Sequence, residues 1–179
     1  MNKFFILALM LLSTNVEAKD FYVERDVKCQ DDVCYFKETN MLFDGELRRY
    51  DENGKLYSST EYKDGIKHGE QKFFYEDGNV RTFEHFVKGK VNGMARSYYN
   101  NGKIKEEIDF DNGVKNGVMR KYYENGKLKE DISFKEGKED GRARSFYEKG
   151  GLKTDKWYDN GELVNSFCIS ERGARRRCE

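Results

Sequence analysis

The sequence predicts an all-β protein, a single elongated antiparallel meander of tandem 24-residue β-hairpin units. Three observations carry that expectation. Glycines recur in three columns with a period of 24: Gly45, Gly69, Gly93, Gly117 and Gly141; Gly54, Gly78, Gly102, Gly126 and Gly150; and Gly65, Gly89, Gly113, Gly137 and Gly161. Only Gly151 and Gly173 stand outside this rule, and no insertion or deletion breaks it. Apolar residues keep the same period, with Tyr50, Phe74, Tyr98, Tyr122 and Phe146 in one column, Leu56, Val80, Ile104, Leu128 and Leu152 in a second, and Tyr62, Phe86, Phe110, Phe134 and Tyr158 in a third. Finally, no stretch beyond the first residues sustains the i, i+3, i+4 apolar spacing of an amphipathic helix. A fixed period of this size marks a quasi-linear array in which each unit buries its surface against its neighbours.

Taken in chain order, residues 1–18 form a regime of their own. Lys3 supplies a positive start, Phe4 to Leu12 is an unbroken apolar run, and Val16-Glu17-Ala18 places small or aliphatic residues where a signal peptidase reads them. This pattern predicts a secretory signal peptide cut after Ala18. The run is too short for a bilayer, which needs about 20 apolar residues. No cysteine follows the expected cut, so a lipid anchor is not expected there. Composition agrees with a thin folded structure: 37% of residues are charged and 15% aromatic, and proline is absent. So many charges with few aromatics would indicate disorder, but here the aromatics are abundant and regularly spaced. Basic and acidic residues balance at 33 each, which argues against a nucleic-acid binder, since that function needs a basic excess.

Residues 19–44 are read as an N-terminal capping hairpin, with Phe21 to Lys28 and Tyr35 to Phe43 as its strands. Residues 45–164 form five repeats, each of two strands and two turns, giving about ten strands and a sheet about 50 Å long at about 4.8 Å per strand. In the fourth unit Tyr122-Tyr123 leads into Glu124-Asn125-Gly126, and Asn-Gly between strand-like runs is a strong hairpin signal. A two-residue loop would set Tyr123 opposite Leu128, whereas a three-residue loop ending in a left-handed glycine sets Tyr122 there. The Tyr122 column is aromatic in every unit, while Asp51 interrupts the Tyr123 column, so the three-residue loop is expected. Tyr122, Leu128 and Phe134 positions would then share the buried face, with Tyr75, Tyr99, Tyr123 and Tyr147 on the other beside Arg81, Lys105, Lys129 and Lys153. An alternative register exchanges the two tyrosine columns.

These residues carry a resemblance. The unit from Gly117 to Asp140 (GVMRKYYENGKLKEDISFKEGKED), and the opening Met41 to Gly45 followed by Tyr50-Asp51-Glu52-Asn53-Gly54-Lys55-Leu56, resemble the MORN-repeat variant of bacterial proteins in the YwqK antitoxin family. The similarity runs from Phe43 to about Leu163. It implies a hairpin-repeat scaffold whose members bind and neutralise a cognate toxin rather than process a substrate. The export signal departs from that pattern, because such antitoxins usually act in the cytoplasm.

Residues 165–179 are read as a C-terminal cap and basic tail. Cys29 and Cys34 lie before the repeats, Cys168 and Cys178 after them. Export makes disulfides the expected state. The ends of an elongated sheet are too far apart for a bridge, which requires Cα atoms about 4.4–6.8 Å apart. The pairing is therefore Cys29 with Cys34 and Cys168 with Cys178, stapling both terminal units. Cys-x4-Cys and Cys-x9-Cys lack the close pairs of a metal site. Arg172, Arg175, Arg176 and Arg177 give the tail a basic character that could meet an acidic partner or anionic lipid. A solvated, partly disordered terminus is the preferred reading.

No catalytic constellation is expected, and no cofactor or metal. His68 and His85 occupy different columns that hold no other histidine; His68 stands where Asn92, Asn116 and Asp140 occur and reads as a turn residue. Glu106, Glu107, Glu130 and Asp131 alternate with basic residues and read as cross-strand charge pairs. The surface with a recognition character is the row Tyr75, Tyr99, Tyr123 and Tyr147 with Trp157, since tyrosine and tryptophan join large area to a polar end. The counter-reading is that tyrosine simply favours strands. The sequence therefore points to a non-enzymatic exported scaffold that binds a protein, a toxin if the resemblance extends to function. A structural or membrane-associated envelope protein is the alternative.

Overall fold

The computed structural model describes residues 21–178. The expected signal peptide, residues 1–18, lies outside them. Three short strands precede the array: β1 (Phe21–Val23), β2 (Val27–Gln30) and β3 (Val33–Phe36). The array itself comprises β4 (Gly45–Tyr50), β5 (Leu56–Lys63), β6 (Ile66–Phe74), β7 (Val80–Val87), the two-residue β8 (Lys90–Val91), β9 (Gly93–Tyr98), β10 (Ile104–Asp111), β11 (Val114–Tyr122), β12 (Leu128–Lys135), β13 (Lys138–Phe146), β14 (Leu152–Asp159) and β15 (Glu162–Ile169). β16 (Arg175–Arg177) ends the chain's structure. Fourteen of these strands form one sheet, ordered β1-β4-β5-β6-β7-β9 and then sequentially to β16, with β8 beside β7. Among the described residues there is no helix, and the expected all-β meander is what the chain forms.

Two kinds of turn alternate along its edges. At one edge Tyr123 N–H donates to the Lys127 carbonyl and Gly126 N–H to the Tyr123 carbonyl, both at 2.8 Å, closing a three-residue loop. Tyr122 pairs with Leu128, as the Asn-Gly reasoning requires. At the other edge Lys135 pairs directly with Lys138 around Glu136 and Gly137, whose φ values are 50° and 84°. Both central residues are left-handed, the turn whose twist matches the flanking strands. The remaining glycine column marks bulges: Asn116, Gly117 and Val118 face the single residue Asp109. Gly117 has φ 128°, and a Cβ there would lie 2.7 Å from the Asp109 Cβ, so only glycine fits. His68 falls in the equivalent bulge of β6, inside a strand rather than in the turn expected for it.

The shared face expected for Tyr122, Leu128 and Phe134 is corrected. Lys121 pairs with Glu130 while Tyr122 pairs with Leu128, so Lys129 is an extra residue that resets the alternation. Ile108, Met119 and Ile132 are register partners on one face, and Phe134 shares it by the two-residue strand period. Glu107 is therefore on the other face, and the Tyr122 hydroxyl donates to its carboxylate at 2.9 Å. Arg81 stacks on Phe73, the cross-strand partner of Ser58 on the Gln71 side of the sheet. The equivalent lysines stack on the tyrosine row, which puts Tyr99, Tyr123 and Tyr147 on the Met119 face.

The deep core sits at the N-terminal end. The chain reverses after β1, where Asp26 N–H donates to the Val23 carbonyl, and β1 joins the main sheet parallel to β4. It does not form the outer strand of a long capping hairpin. That hairpin is only β2–β3, turned at Asp31-Asp32 with φ of 50° and 65°, and it lies in a separate two-stranded sheet. Val27, Cys34, Phe43, Leu47 and Tyr62 bury together, with Tyr22 and Phe36 packed against them. Phe43 meets Tyr22 and Phe36 edge-on with ring centroids 5.3 and 5.1 Å apart. Elsewhere the sheet is one layer, and burial follows a central row of Gln71, Ala95, Met119, Ala143 and Ser166 on one face.

Candidate partner-binding surface

The tyrosine row grows out of the three-residue turns. In the turns after Tyr75, Tyr99 and Tyr123 the Asp or Asn before glycine accepts a hydrogen bond from the backbone two residues on: Asp77 from Asn79, Asn101 from Lys103 and Asn125 from Lys127, at 2.9–3.0 Å. This fixes the preceding tyrosine at the edge of the sheet. Each hydroxyl then reaches the next unit. Tyr75 donates to the Tyr98 carbonyl at 2.7 Å, Tyr99 to Tyr122 at 2.8 Å, Tyr123 to Phe146 at 2.8 Å and Tyr147 to Ile169 at 3.0 Å. Lys105, Lys129 and Lys153 lie over the rings of Tyr99, Tyr123 and Tyr147 at 5.6–5.8 Å from the centroids. The rings are half-buried, and burial raises the Tyr99 pKa above its ordinary value, with Glu124 and Glu148 adding to the effect. The structure thus gathers the four tyrosines into one stapled row.

Trp157 stands apart from that row. It lies opposite Arg142 on β14, on the Glu107 face, and is 51% exposed. Beside it, Arg142 grips Asp155 through two hydrogen bonds of 2.8 and 3.0 Å, which hold the Asp155 carboxyl below its usual pKa. Arg175 stacks on Phe167 at 3.7 Å. With Val164, these residues line a shallow groove at the C-terminal end of the sheet.

The cross-strand charge pairs expected at Glu107 and Asp131 are present, and they join into a ladder running across the Glu107 face that the sequence reading did not trace. Arg96, Glu107, Arg120, Asp131, Arg144 and Asp155 are successive register partners on adjacent strands, alternating in sign. Glu107 meets Arg96 at 3.7 Å and Arg120 at 3.5 Å, and Asp131 meets Arg144 at 2.5 Å. Tyr122 caps the ladder at Glu107; burial first, then that hydrogen bond, raises its pKa. A signal for it existed, since Arg48, Lys72, Arg96, Arg120 and Arg144 form an all-basic column of period 24.

Both expected disulfides are formed, Cys29 with Cys34 and Cys168 with Cys178. The latter holds β16 against β15, so the tail read as a loose terminus is an ordered return strand with exposed arginines. Among the described residues no three His, Cys, Asp or Glu side chains gather as a metal site. His85 is an exposed residue of β7 opposite Glu70.

Residues 43–64, 67–86, 91–112 and 115–136 match the MORN repeat variant. These are MORN repeats. Three of the four matches end on the first left-handed residue of a two-residue turn, Asp64, Asn112 or Glu136, so the family unit is a hairpin around the Asn-Gly loop. β13 and β14 repeat that geometry, with Phe146 opposite Leu152 and a register shift at the same position. No curated protein matches the chain. The MORN repeat is a scaffold unit rather than a catalytic one.

Proposed function

We propose that this chain is an exported, non-enzymatic MORN scaffold that holds a protein partner, and that neutralising a toxin, as an antitoxin or immunity protein does, is the specific form of that binding. The observation that carries the reading is the stapled tyrosine row. Four rings already fixed by hydroxyl bonds offer contact area with little side-chain entropy left to lose on association. Their spacing of two strands, about 10 Å, suits an extended partner surface. Two disulfides fit an oxidising compartment, which supports export.

The experiment has two arms. Residues 1–18 fused to a reporter active only outside the cytoplasm should switch it on. Tagged mature chain, used as bait in an envelope extract, should retain one stoichiometric protein whose toxicity co-expression relieves. A silent reporter or an empty bait lane sinks the proposal. The exposed arginines of the C-terminal strand favour a second reading, a membrane-associated envelope protein. Sedimentation of the chain with anionic vesicles, lost on truncating from Arg172, would select it.

A further inference from the structure

We infer that the outer edge of β15, from Glu162 to Asn165, is a strand-addition site for an extended acidic segment of a partner protein. This deepens the scaffold reading and rests on it. β16 covers only Phe167, Cys168 and Ile169, and the Cys178 N–H adds one bond to the Ser166 carbonyl. Glu162 to Asn165 pair with β14 on one side, and among the described residues nothing pairs with their other side. A strand in this state presents a ready template of backbone donors and acceptors.

The side chains there have the character of a docking strip. Leu163 and Val164 are 52% and 57% exposed, and Trp157 stands on the adjacent strand at 51%. Val164 lines the groove with Trp157, whereas Leu163, the register partner of Tyr158, lies on the other face, so apolar surface flanks the open edge on both sides. At the opposite end β1 pairs with Glu46 to Arg48 of β4, and there the cap residues Val27, Cys34 and Phe43 bury Leu47 as well.

Charge selects the occupant. Arg175, Arg176 and Arg177 are all exposed on the flanking strand, with Arg172 in the turn before it and Arg142 and Lys156 lining the groove. Of the nearby acids, Asp155 and Arg142 neutralise each other, Glu162 and its register partner Asp159 sit at the far end of the strip, and Glu171 lies in the turn. A second copy of this chain would bring two arginine clusters together, a like-charge contact that disfavours self-pairing. An acidic strand with alternate apolar residues satisfies the backbone, the apolar strip and the arginines at once.

Trp157 is the only tryptophan, so its fluorescence reports this site alone. The probes are a capped Glu-Val repeat octapeptide, a Lys-Val octapeptide, and the Glu-Val peptide N-methylated at every residue, which blocks both of its edges. The Glu-Val peptide should change Trp157 emission saturably and weaken as salt is raised. The Lys-Val peptide and the N-methylated peptide should give no saturable change. Val164→Glu should weaken the Glu-Val peptide about tenfold without touching β16. Equal binding by the N-methylated peptide, or binding of phosphatidylglycerol vesicles with none of the peptide, overturns the assignment. A stoichiometric partner that Val164→Glu still captures overturns the edge assignment while leaving the scaffold reading intact. Peptide binding with an empty bait lane does the reverse.

Discussion

Replacing Tyr75, Tyr99, Tyr123 and Tyr147 together by phenylalanine removes four inter-unit hydrogen bonds and keeps every ring. The bonds run at 2.7–3.0 Å, within the range of good hydroxyl donors. Each loss costs about 0.5–1.5 kcal/mol net. The sites lie about 10 Å apart and share no partner, so the quadruple variant should lose roughly 2–6 kcal/mol. Against a total of about 5–15 kcal/mol for a domain, that shift is large. Position adds a second test. In a one-dimensional array a weakened interface divides the cooperative unit at that point. Tyr99→Phe should therefore separate the urea transition seen by circular dichroism from that seen by Trp157 fluorescence, because Trp157 lies in β14. Tyr147→Phe should loosen only the C-terminal hairpin. A quadruple variant within about 0.5 kcal/mol of the parent, with coincident transitions, refutes the stapling argument.

Other perturbations test the remaining contacts. Gly65 has φ 77° and a Cβ there would sit 2.8 Å from the Cys34 carbonyl oxygen, whereas nothing lies within 4 Å of such an atom at Gly126. Gly126→Ala should therefore cost about 1–2 kcal/mol for backbone conformation alone. Gly65→Ala should cost visibly more in a thermal melt, and equal costs would contradict the docking of the cap on that turn. The Asp155 carboxyl is held low chiefly by the Arg142 hydrogen bonds. Its contribution is present above the ordinary aspartate range and is lost as pH falls through the depressed folded value, so Asp155→Asn should flatten the acid limb of a stability–pH curve. Burial raises the Tyr99, Tyr122 and Tyr158 pKa values. That contribution is full below the ordinary phenol value and fades as pH rises through the raised one, so ultraviolet titration should show late-ionising tyrosines that become ordinary on unfolding. Cys168→Ser with Cys178→Ser removes a bridge of sequence separation 10. It should cost about 2–3 kcal/mol and raise hydrogen exchange at Phe167 to Ile169 while leaving the central strands unchanged.

What could be read from the sequence follows from what repeats. The glycine columns are backbone requirements, so they announce turns and bulges whatever the neighbouring side chains are. Asp51 in the Tyr123 column was enough to choose the loop that sets Tyr122 opposite Leu128. The bulge at Lys129 left no such mark, since no glycine is needed there and a lysine looks like any other exposed strand residue. One unmarked residue then reversed the assignment of faces. The buried central column was invisible for a different reason. Leu47, Gln71, Ala95, Met119 and Ala143 share little hydrophobicity, only the absence of charge, and all but Leu47, which lies in the cap core, are buried by neighbouring strands rather than by a second layer. Glu107 and Asp131 were legible as members of cross-strand charge pairs, while the continuity of the ladder lay in its spacing: its members are alternately 11 and 13 residues apart, and these spacings together make the repeat. The ends escaped periodicity altogether. β1 pairs in parallel and β16 returns through a turn at Ser170 to Ala174, arrangements set by single contacts that no other unit repeats.

That difference between ends matters for how a one-layer sheet can function. Inside the array every strand has neighbours on both sides, and the turns are linked as well, since Gly89, Gly113, Gly137 and Gly161 donate to carbonyls of the preceding unit at 2.7–2.8 Å. Among the described residues the main sheet therefore ends at two places, beyond β4 and beyond β15, each flanked by one short strand. At the N-terminal place β1 is also only three residues long, pairing with Glu46 to Arg48, but the disulfide-bonded hairpin packs over the face and buries Leu47 with it. At the C-terminal place the closing strand is three residues long and wholly exposed, too short to offset an ordering cost of about 1–2 kcal/mol per residue from its own backbone bonds. The disulfide between Cys168 and Cys178 supplies the missing restraint, and it does so over half of β15 only. Natural sheets blunt an exposed edge with charge, and three consecutive arginines do that here against other copies of the chain. The same arginines repel nothing acidic. An edge guarded by charge of one sign is closed to its own kind and open to the opposite one, which gives a symmetric-looking repeat a single direction in which to bind.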